Sequence, residues 1–473
     1  MMRTSSQSGL LWVVAAGFFM QALDTTIVNT ALPSIAQAFG EDALAMRSVV
    51  IAYTLTMAML TPLSGWLSDR YSTRSVYFAA ILVFALGSLA CAASQTSSQL
   101  VVARIVQGIG GSMLLPVGRL AVLRSVPGEA YVTALAFISI ASQVGPLVGP
   151  TLGGWFAQTW SWRWIFLVNV PICAVGLLAS LRYLPSDRLG ERHPFDYRGC
   201  ALLSLAMLAS SLAIDVTAGT NHLTWTLIAG LGAAAAVSAY VVHARRHARP
   251  LFRLDLFAER NFRTGLIGNL VCRIGTSAVP FLLPLQMQLG FGYSPLHAGL
   301  VMLPAAFAGV LAKRWIAPLI RRFGYVSFLK INTLVVGATI FGFAAISPDT
   351  PLLVDLALLA AFGAANSMQF AAMNSVTLKD LSSHDASSGN SLFSMVQMLA
   401  IGLGISVGGG FASLFEQRFG AAALGIQLSF LIVGAVTIAS AFVFGKLAAT
   451  RVIGPVPARV GRPLSSDEKL SEK

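Results

Sequence analysis

The chain has 473 residues, 56% of them hydrophobic and only 11% charged. Soluble globular domains carry roughly 25% charged residues, so the composition excludes an ordinary water-soluble globule. A formal net charge of +13 would suit a nucleic-acid surface, but the basic residues sort by membrane side instead, and no nucleic-acid partner is expected.

Windows of about 20 apolar residues, long enough to cross hydrocarbon as a helix, lie near 10–36, 48–68, 75–95, 98–118, 131–157, 164–184, 201–217, 223–243, 264–289, 297–319, 325–347, 351–374, 391–415 and 421–446. This pattern predicts an all-α polytopic membrane protein with 14 spans, embedded in a lipid bilayer. The seventh window is short and carries Asp215 near its end. No cleavable signal peptide is expected, because the first run is long, contains Asp24 and leads straight into a second span.

Among the 32 Lys and Arg, only Arg47, Arg163 and Arg418 fall in loops opposite the N-terminus. Arg104, Arg273, Lys313 and Arg314 fall inside spans, and the remainder lie on the side of the N-terminus. The positive-inside rule then places both termini in the cytoplasm, with the bundle in a bacterial inner membrane. The longest links on that side, near 185–200 and 244–263, bracket two helices. The expected organisation is a six-helix bundle at 1–190, a two-helix insert with its linkers at 191–250, a second six-helix bundle at 251–446, and a polar tail at 447–473 with no helical period, expected to be disordered. Gly65-Trp66-Leu67-Ser68-Asp69-Arg70 after the second span is echoed by Arg321-Arg322-Phe323-Gly324-Tyr325 after the tenth, as in duplicated bundles that bind a substrate where the halves meet.

Asp24 sits near the centre of the first span, where a charge costs about 2.5–3.5 kcal/mol and survives only with a partner, a cavity or a proton. Arg104 in the fourth span stays charged and needs an acceptor, for which Asp24 and Asp69 are the candidates. The fifth span carries Gly145, Pro146, Gly149, Pro150, Gly153 and Gly154; small residues four apart let helices approach closely, and the prolines free backbone carbonyls. In the later bundle Arg273 lies near mid-membrane and Lys313 and Arg314 about two turns from a helix end. If they face the cavity they suit an anionic cargo; otherwise they snorkel or pair structurally. Asn29 and Gln286 are the leading uncharged candidates for a substrate contact. The four cysteines read as small core residues, and the six histidines (His193, His222, His243, His247, His297 and His384) lie at helix ends or in loops. No Walker-type phosphate loop, nucleophile elbow or metal cluster is apparent, so no enzyme activity, metal or cofactor is expected.

Several of these segments together resemble the fourteen-span drug:proton antiporter group of the major facilitator superfamily. Leu23 to Pro33 resembles its LDxTxVNxALP signature, and Gly65 to Arg74 its GxLaDRxGRK turn, with Ser72 where Gly is usual and Thr73 where a basic residue is usual. Arg104 to Ser112 is similar to RxxQGxGga, and Gly145 to Gly154 to the antiporter motif GxxxGPxxGG, with Ala136 where an earlier Gly is usual. The resemblance implies a monomeric exporter of small molecules that uses the proton gradient and alternating access of two bundles. Asp24 and Arg104 would couple protons. Asp69 and Arg70 would gate the cytoplasmic side, Asp69 reaching the start of the thirteenth span near Ser387-Ser388-Gly389. Two other readings stand beside multidrug export: export of a small anionic metabolite or metal chelate, and a transporter-derived sensor or structural membrane protein.

Overall fold

Inside hydrocarbon a backbone can satisfy its polar groups only within itself, and long apolar runs therefore become helices. The computed structural model describes residues 2–126, 128–184, 186, 194–214, 222–381 and 386–447. In the first part of the chain α1 is Met2–Phe39, α2 Arg47–Leu60, α3 Leu63–Tyr71, α4 Thr73–Ala93, α5 Ser97–Ser125, α6 Gly128–Thr159, α7 Trp164–Leu167 and α8 Asn169–Tyr183. A pair follows, α9 (Tyr197–Ile214) and α10 (His222–Arg246). The later part contains α11 (Arg260–Leu285), extended by a π turn at Gln286–Gly290, then α12 (Pro295–Val301), α13 (Leu303–Ala345), α14 (Leu352–Leu378), α15 (Ala386–Phe419) and α16 (Ala422–Phe444).

Among the described residues, 12 helical runs are long and apolar enough to cross a membrane, or 13 when α2 and α3, bent by 58° around Thr61-Pro62, count as one span. The expected number was 14. One of the 12 runs, Pro295–Ala345, is 51 residues long and contains both the tenth and the eleventh predicted windows. Its helix breaks at Gly324, where φ is 73°, a left-handed value that glycine adopts without a Cβ clash. Asp215 and the tail beyond Leu447 lie outside the described residues.

α1 packs on α6 and α8, α4 on α5, α11 on α15 and α16, and α9 on α10. The two halves touch through α6 with α12, α2 with α15 and α1 with α11, while α9 packs against both α2 and α15. Among the described residues, the hydrogen bonds across the halves lie in the middle of the bundle or toward the side opposite the N-terminus, the far side. There Thr151 Oγ1 donates to the Gly299 carbonyl at 3.2 Å, Leu296 N–H to Gln158 Oε1 at 3.2 Å, Arg47 Nη1 to Ser413 Oγ at 3.2 Å, and Gln288 Nε2 to the Thr30 carbonyl at 2.9 Å.

The Gly-Pro segment of α6 makes two seams at once. A Cβ added at Gly145 would lie 2.6 Å from the Leu23 nitrogen, and one at Gly149 or Gly153 would overlap the Thr26 hydroxyl or the Ile27 carbonyl of α1. Gly154 faces the other half, where a Cβ would strike the Pro295 carbonyl. Spacing by four places three of these glycines on one helix face, which is the geometry of close helix contact.

Ser72 stands between α3 and α4 with φ 113° and ψ 151°, a region that essentially only glycine occupies and that costs other residues about 1–3 kcal/mol. The resembling turn has Gly at this position. Ser72 recovers part of the cost by capping α4, its Oγ accepting from Ser75 N–H at 3.3 Å. Ser72→Gly is therefore expected to stabilise the protein by about 1 kcal/mol, since glycine gives up only a few tenths as a cap; thermal unfolding in detergent micelles measures it, and a lower midpoint would contradict the strain. Gly149→Val should destabilise by roughly 1–3 kcal/mol through overpacking. Gly230→Val, at a site with nothing within 4 Å, should leave the same midpoint unchanged.

Candidate translocation site

Asp24 and Arg104 come from α1 and α5, 80 positions apart, and meet with both side chains 0% exposed. Arg104 Nη1 donates to Asp24 Oδ2 at 2.6 Å and to Gln107 Oε1 at 2.7 Å. Asp24 Oδ1 accepts from Gln107 Nε2 at 2.8 Å and from Asn169 Nδ2 of α8 at 3.1 Å. Gln107 also donates to Ser88 Oγ of α4 at 2.7 Å. From α2, the Val49 carbonyl accepts Arg104 Nε at 3.3 Å, and the Tyr53 ring lies 4.0 Å from the guanidinium carbon. One buried ion pair thus draws on five helices of the first half. Of the two acids open to Arg104 from sequence, the fold brings Asp24. Thr25 and Thr26 are not Asp24 partners; their hydroxyls return to carbonyls of Gln21 and Ala22 in the preceding turn.

Asp69 is 44% exposed and pairs at 2.5 Å with Arg124 Nη2 of α5, inside its own half. Arg124 Nη1 also donates to Thr73 Oγ1 at 2.8 Å. This contact lies within the first half; the expected partner region at the start of α15 falls partly outside the residues whose side chains are described. Arg70 lies over the rings of Trp66 and Tyr71, at 5.4 Å and 5.7 Å.

In the second half, Arg273 of α11 places its guanidinium 4.3 Å from the centre of the Phe370 ring of α14. Its Nε is buried without a hydrogen-bond partner, and no acid of the described residues pairs with it. Asn269, one turn earlier on α11, is fully buried with neither side-chain polar atom partnered. Lys313 of α13 donates across the halves to Gln143 Oε1 of α6, a neutral partner. Arg314 points elsewhere, exposed and 5.3 Å from the Trp315 ring, as the 100° step between adjacent helical residues requires. Asn29 is buried in α1 with Oδ1 unpartnered. Gln286 donates to the Phe343 carbonyl at 3.1 Å and so bonds inside its own half.

Sequence reading missed three groups. Arg119 was placed in a loop, yet α5 continues to Ser125 and sets its guanidinium 5.7 Å from the Phe18 ring. Gln107 and Asn169 complete the Asp24 shell; Gln107 was legible as the residue one turn after Arg104, whereas Asn169 required the tertiary fold. Asp196 and His243, 47 positions apart, meet at 2.7 Å on the near side, with His247 stacked on His243. The four-residue spacing of the histidines on one helix was the available signal.

The Major Facilitator Superfamily profile matches residues 14–405. A protein of Serratia proteamaculans named "Putative multidrug resistance protein MdtD" is 46% identical over 408 residues, covering 86% of this chain and 85% of the relative. Among solved structures, a mutant form of the nucleoside transporter NupG superposes with a TM-score of 0.69 at 14% identity, covering 93% of this chain and 100% of that one. A D-xylose-proton symporter superposes with a TM-score of 0.68 at 16% identity, covering 93% and 97%. At these identities the two structures speak for the fold, and the profile with the 46% relative speaks for the family. The chain belongs to the Major Facilitator Superfamily and is a multi-pass membrane transporter, not an enzyme.

Proposed function

We propose that this transporter is a proton-coupled exporter that works by alternating access, with Asp24 as the proton-carrying group and Arg104 as its competitor. The fully buried Asp24–Arg104 pair carries the reading. An ionised Asp24 accepts from Arg104, Gln107 and Asn169 and holds α1, α5 and α8 together. A proton on Asp24 removes the counter-charge and leaves Arg104 buried alone, a change that costs about 3–5 kcal/mol when one partner of such a pair is lost. Protonation and the present packing thus exclude each other, and an incoming proton can drive α1 and its glycine seam with α6 into a second arrangement. The far-side seam supports reading this state as one that has released its proton toward the near side. Asp69 with Arg124 would then be free to exchange partners when the near side closes, with Arg70 beside it.

In this reading the break at Gly324 divides Pro295–Ala345 into two spans, and with α2 and α3 as one broken span the total becomes fourteen. The arrangement is two six-helix bundles, at 1–190 and 251–446, with α9 and α10 as an insert at 191–250. Both termini lie in the cytoplasm of a bacterial inner membrane, as the basic loops favour. The chain acts as a monomer and draws on the proton gradient without a prosthetic group. The name of the 46% identical relative favours drugs as cargo, and the Gly145–Gly154 segment favours export.

A second reading concerns the cargo. Among the described residues Arg273 and Lys313 have no acidic partner, and Arg119 and Arg273 each face an aromatic ring. Cations within the spans that have no acidic partner favour an anionic ligand, so a carboxylate or its metal chelate is the alternative substrate, with Arg273 as its main contact and Asn29, Gln286, Lys313 and Arg314 in lesser roles.

Inside-out vesicles with an imposed proton gradient test both readings. Asp24→Asn should reduce gradient-driven uptake to background while the protein still inserts; full uptake in this variant would remove Asp24 from coupling. Arg273→Ala should lower accumulation of carboxylates or chelates by at least about tenfold, the equivalent of one charge-assisted contact, and spare a lipophilic cationic dye. Equal loss of both cargos would assign Arg273 a structural role.

A further inference from the structure

Away from the transport path, the near-side ends of α9 and α10 gather three metal-ligating side chains. Asp196 precedes α9 and is buried. Its Oδ1 accepts from Gly199 N–H at 2.9 Å and its Oδ2 from Leu251 N–H at 3.0 Å, so two backbone donors from different segments fix the carboxylate. His243 Nε2 lies 2.7 Å from Oδ1. His247 follows one turn later on α10, its ring 4.9 Å from that of His243 and tilted by 22°. One donor atom from each of the three residues lies within 4.8 Å of the others.

We propose that Asp196, His243 and His247 form a binding site for a late first-row divalent cation of the Zn²⁺ type. Two neutral imidazoles and one carboxylate are a donor set that Zn²⁺ takes, with a fourth position left open. Histidines four apart on a helix present two ligands on one face without any change of backbone. At metal–ligand distances of about 2.0–2.1 Å, tetrahedral donors stand about 3.3 Å apart; the His243–Asp196 contact then needs to open by only about 0.6 Å. The carboxylate carries the backbone donors that usually orient a metal-bound oxygen. The three side chains line an open cleft shared with Arg198 and Arg246, so water or an anion, rather than a fourth protein ligand, would take the remaining position. Because Leu251 lies in the link toward α11, a bound cation would join the α9–α10 pair to the start of the second half.

The test uses the full chain, purified without a histidine tag in detergent micelles, with Co²⁺ as spectroscopic probe and Zn²⁺ as competitor. Saturation at one Co²⁺ per chain, with strong visible absorption of tetrahedral type that Zn²⁺ abolishes, is expected. His247→Ala keeps the His243–Asp196 hydrogen bond and the fold but should weaken Co²⁺ affinity at least about tenfold. His297→Ala, at a histidine stacked on Tyr293, should leave it unchanged. Absence of saturable binding, or binding equally tight in His247→Ala, would overturn the site and leave a hydrogen-bonded His–Asp tie. Neither result depends on transport, so the outcome is separate from that of the vesicle assays.

Discussion

A carboxylate and a guanidinium, each fully withdrawn from solvent, hold the first half of this protein together. Removing one such group from water costs several kcal/mol, and the attraction between partners offsets this only when the remaining donors and acceptors are also satisfied. Asp24 meets that condition through Arg104, Gln107 and Asn169. Arg104 meets it less completely, since Nη2 has no partner, and the Tyr53 ring lies over its face. The result is a junction of α1, α2, α4, α5 and α8. Membrane helices have no hydrophobic force to drive them together, so a junction of this kind also sets how they are rotated toward each other.

The α6 segment from Gly145 to Gly154 turns that local junction into a property of the whole bundle. Its glycines bring α6 against the same stretch of α1 that carries Asp24, from Leu23 to Ile27, and Gly154 continues the contact to Pro295 in the other half. A change in the position of α1 is therefore transmitted through a few close backbone contacts to the far-side seam. Side chains that were longer would interlock and resist sliding, whereas backbone against backbone leaves a smooth surface.

The two halves treat charge differently. In the first, Arg104 and Arg124 each have an aspartate. In the second, Arg273 has an aromatic face and Lys313 a glutamine amide, with no acid of the described residues paired with either. The α9–α10 pair is set apart from both, with its own ionic cluster at Asp196, His243 and His247 on the near side.

Much of this was legible in the chain itself. Apolar length dictated helices, because hydrocarbon permits no other use of the backbone, and an aspartate at mid-span announced a partner elsewhere. Glycines and prolines four apart declared a close seam. Partner choice was not legible. Arg104 could have met Asp24 or Asp69, and Asn169 carried no mark of joining them. Asp69 found Arg124, and Arg119 belonged to α5 rather than to a loop, because helix ends depend on neighbours more than on hydropathy. His243 and His247 displayed their spacing, but Asp196 reached them only through the pairing of α9 with α10. Composition and periodicity act over a few turns of one helix and so determine what each segment becomes; distances between charged groups far apart in sequence depend on how the helices pack, and tertiary structure alone decided them.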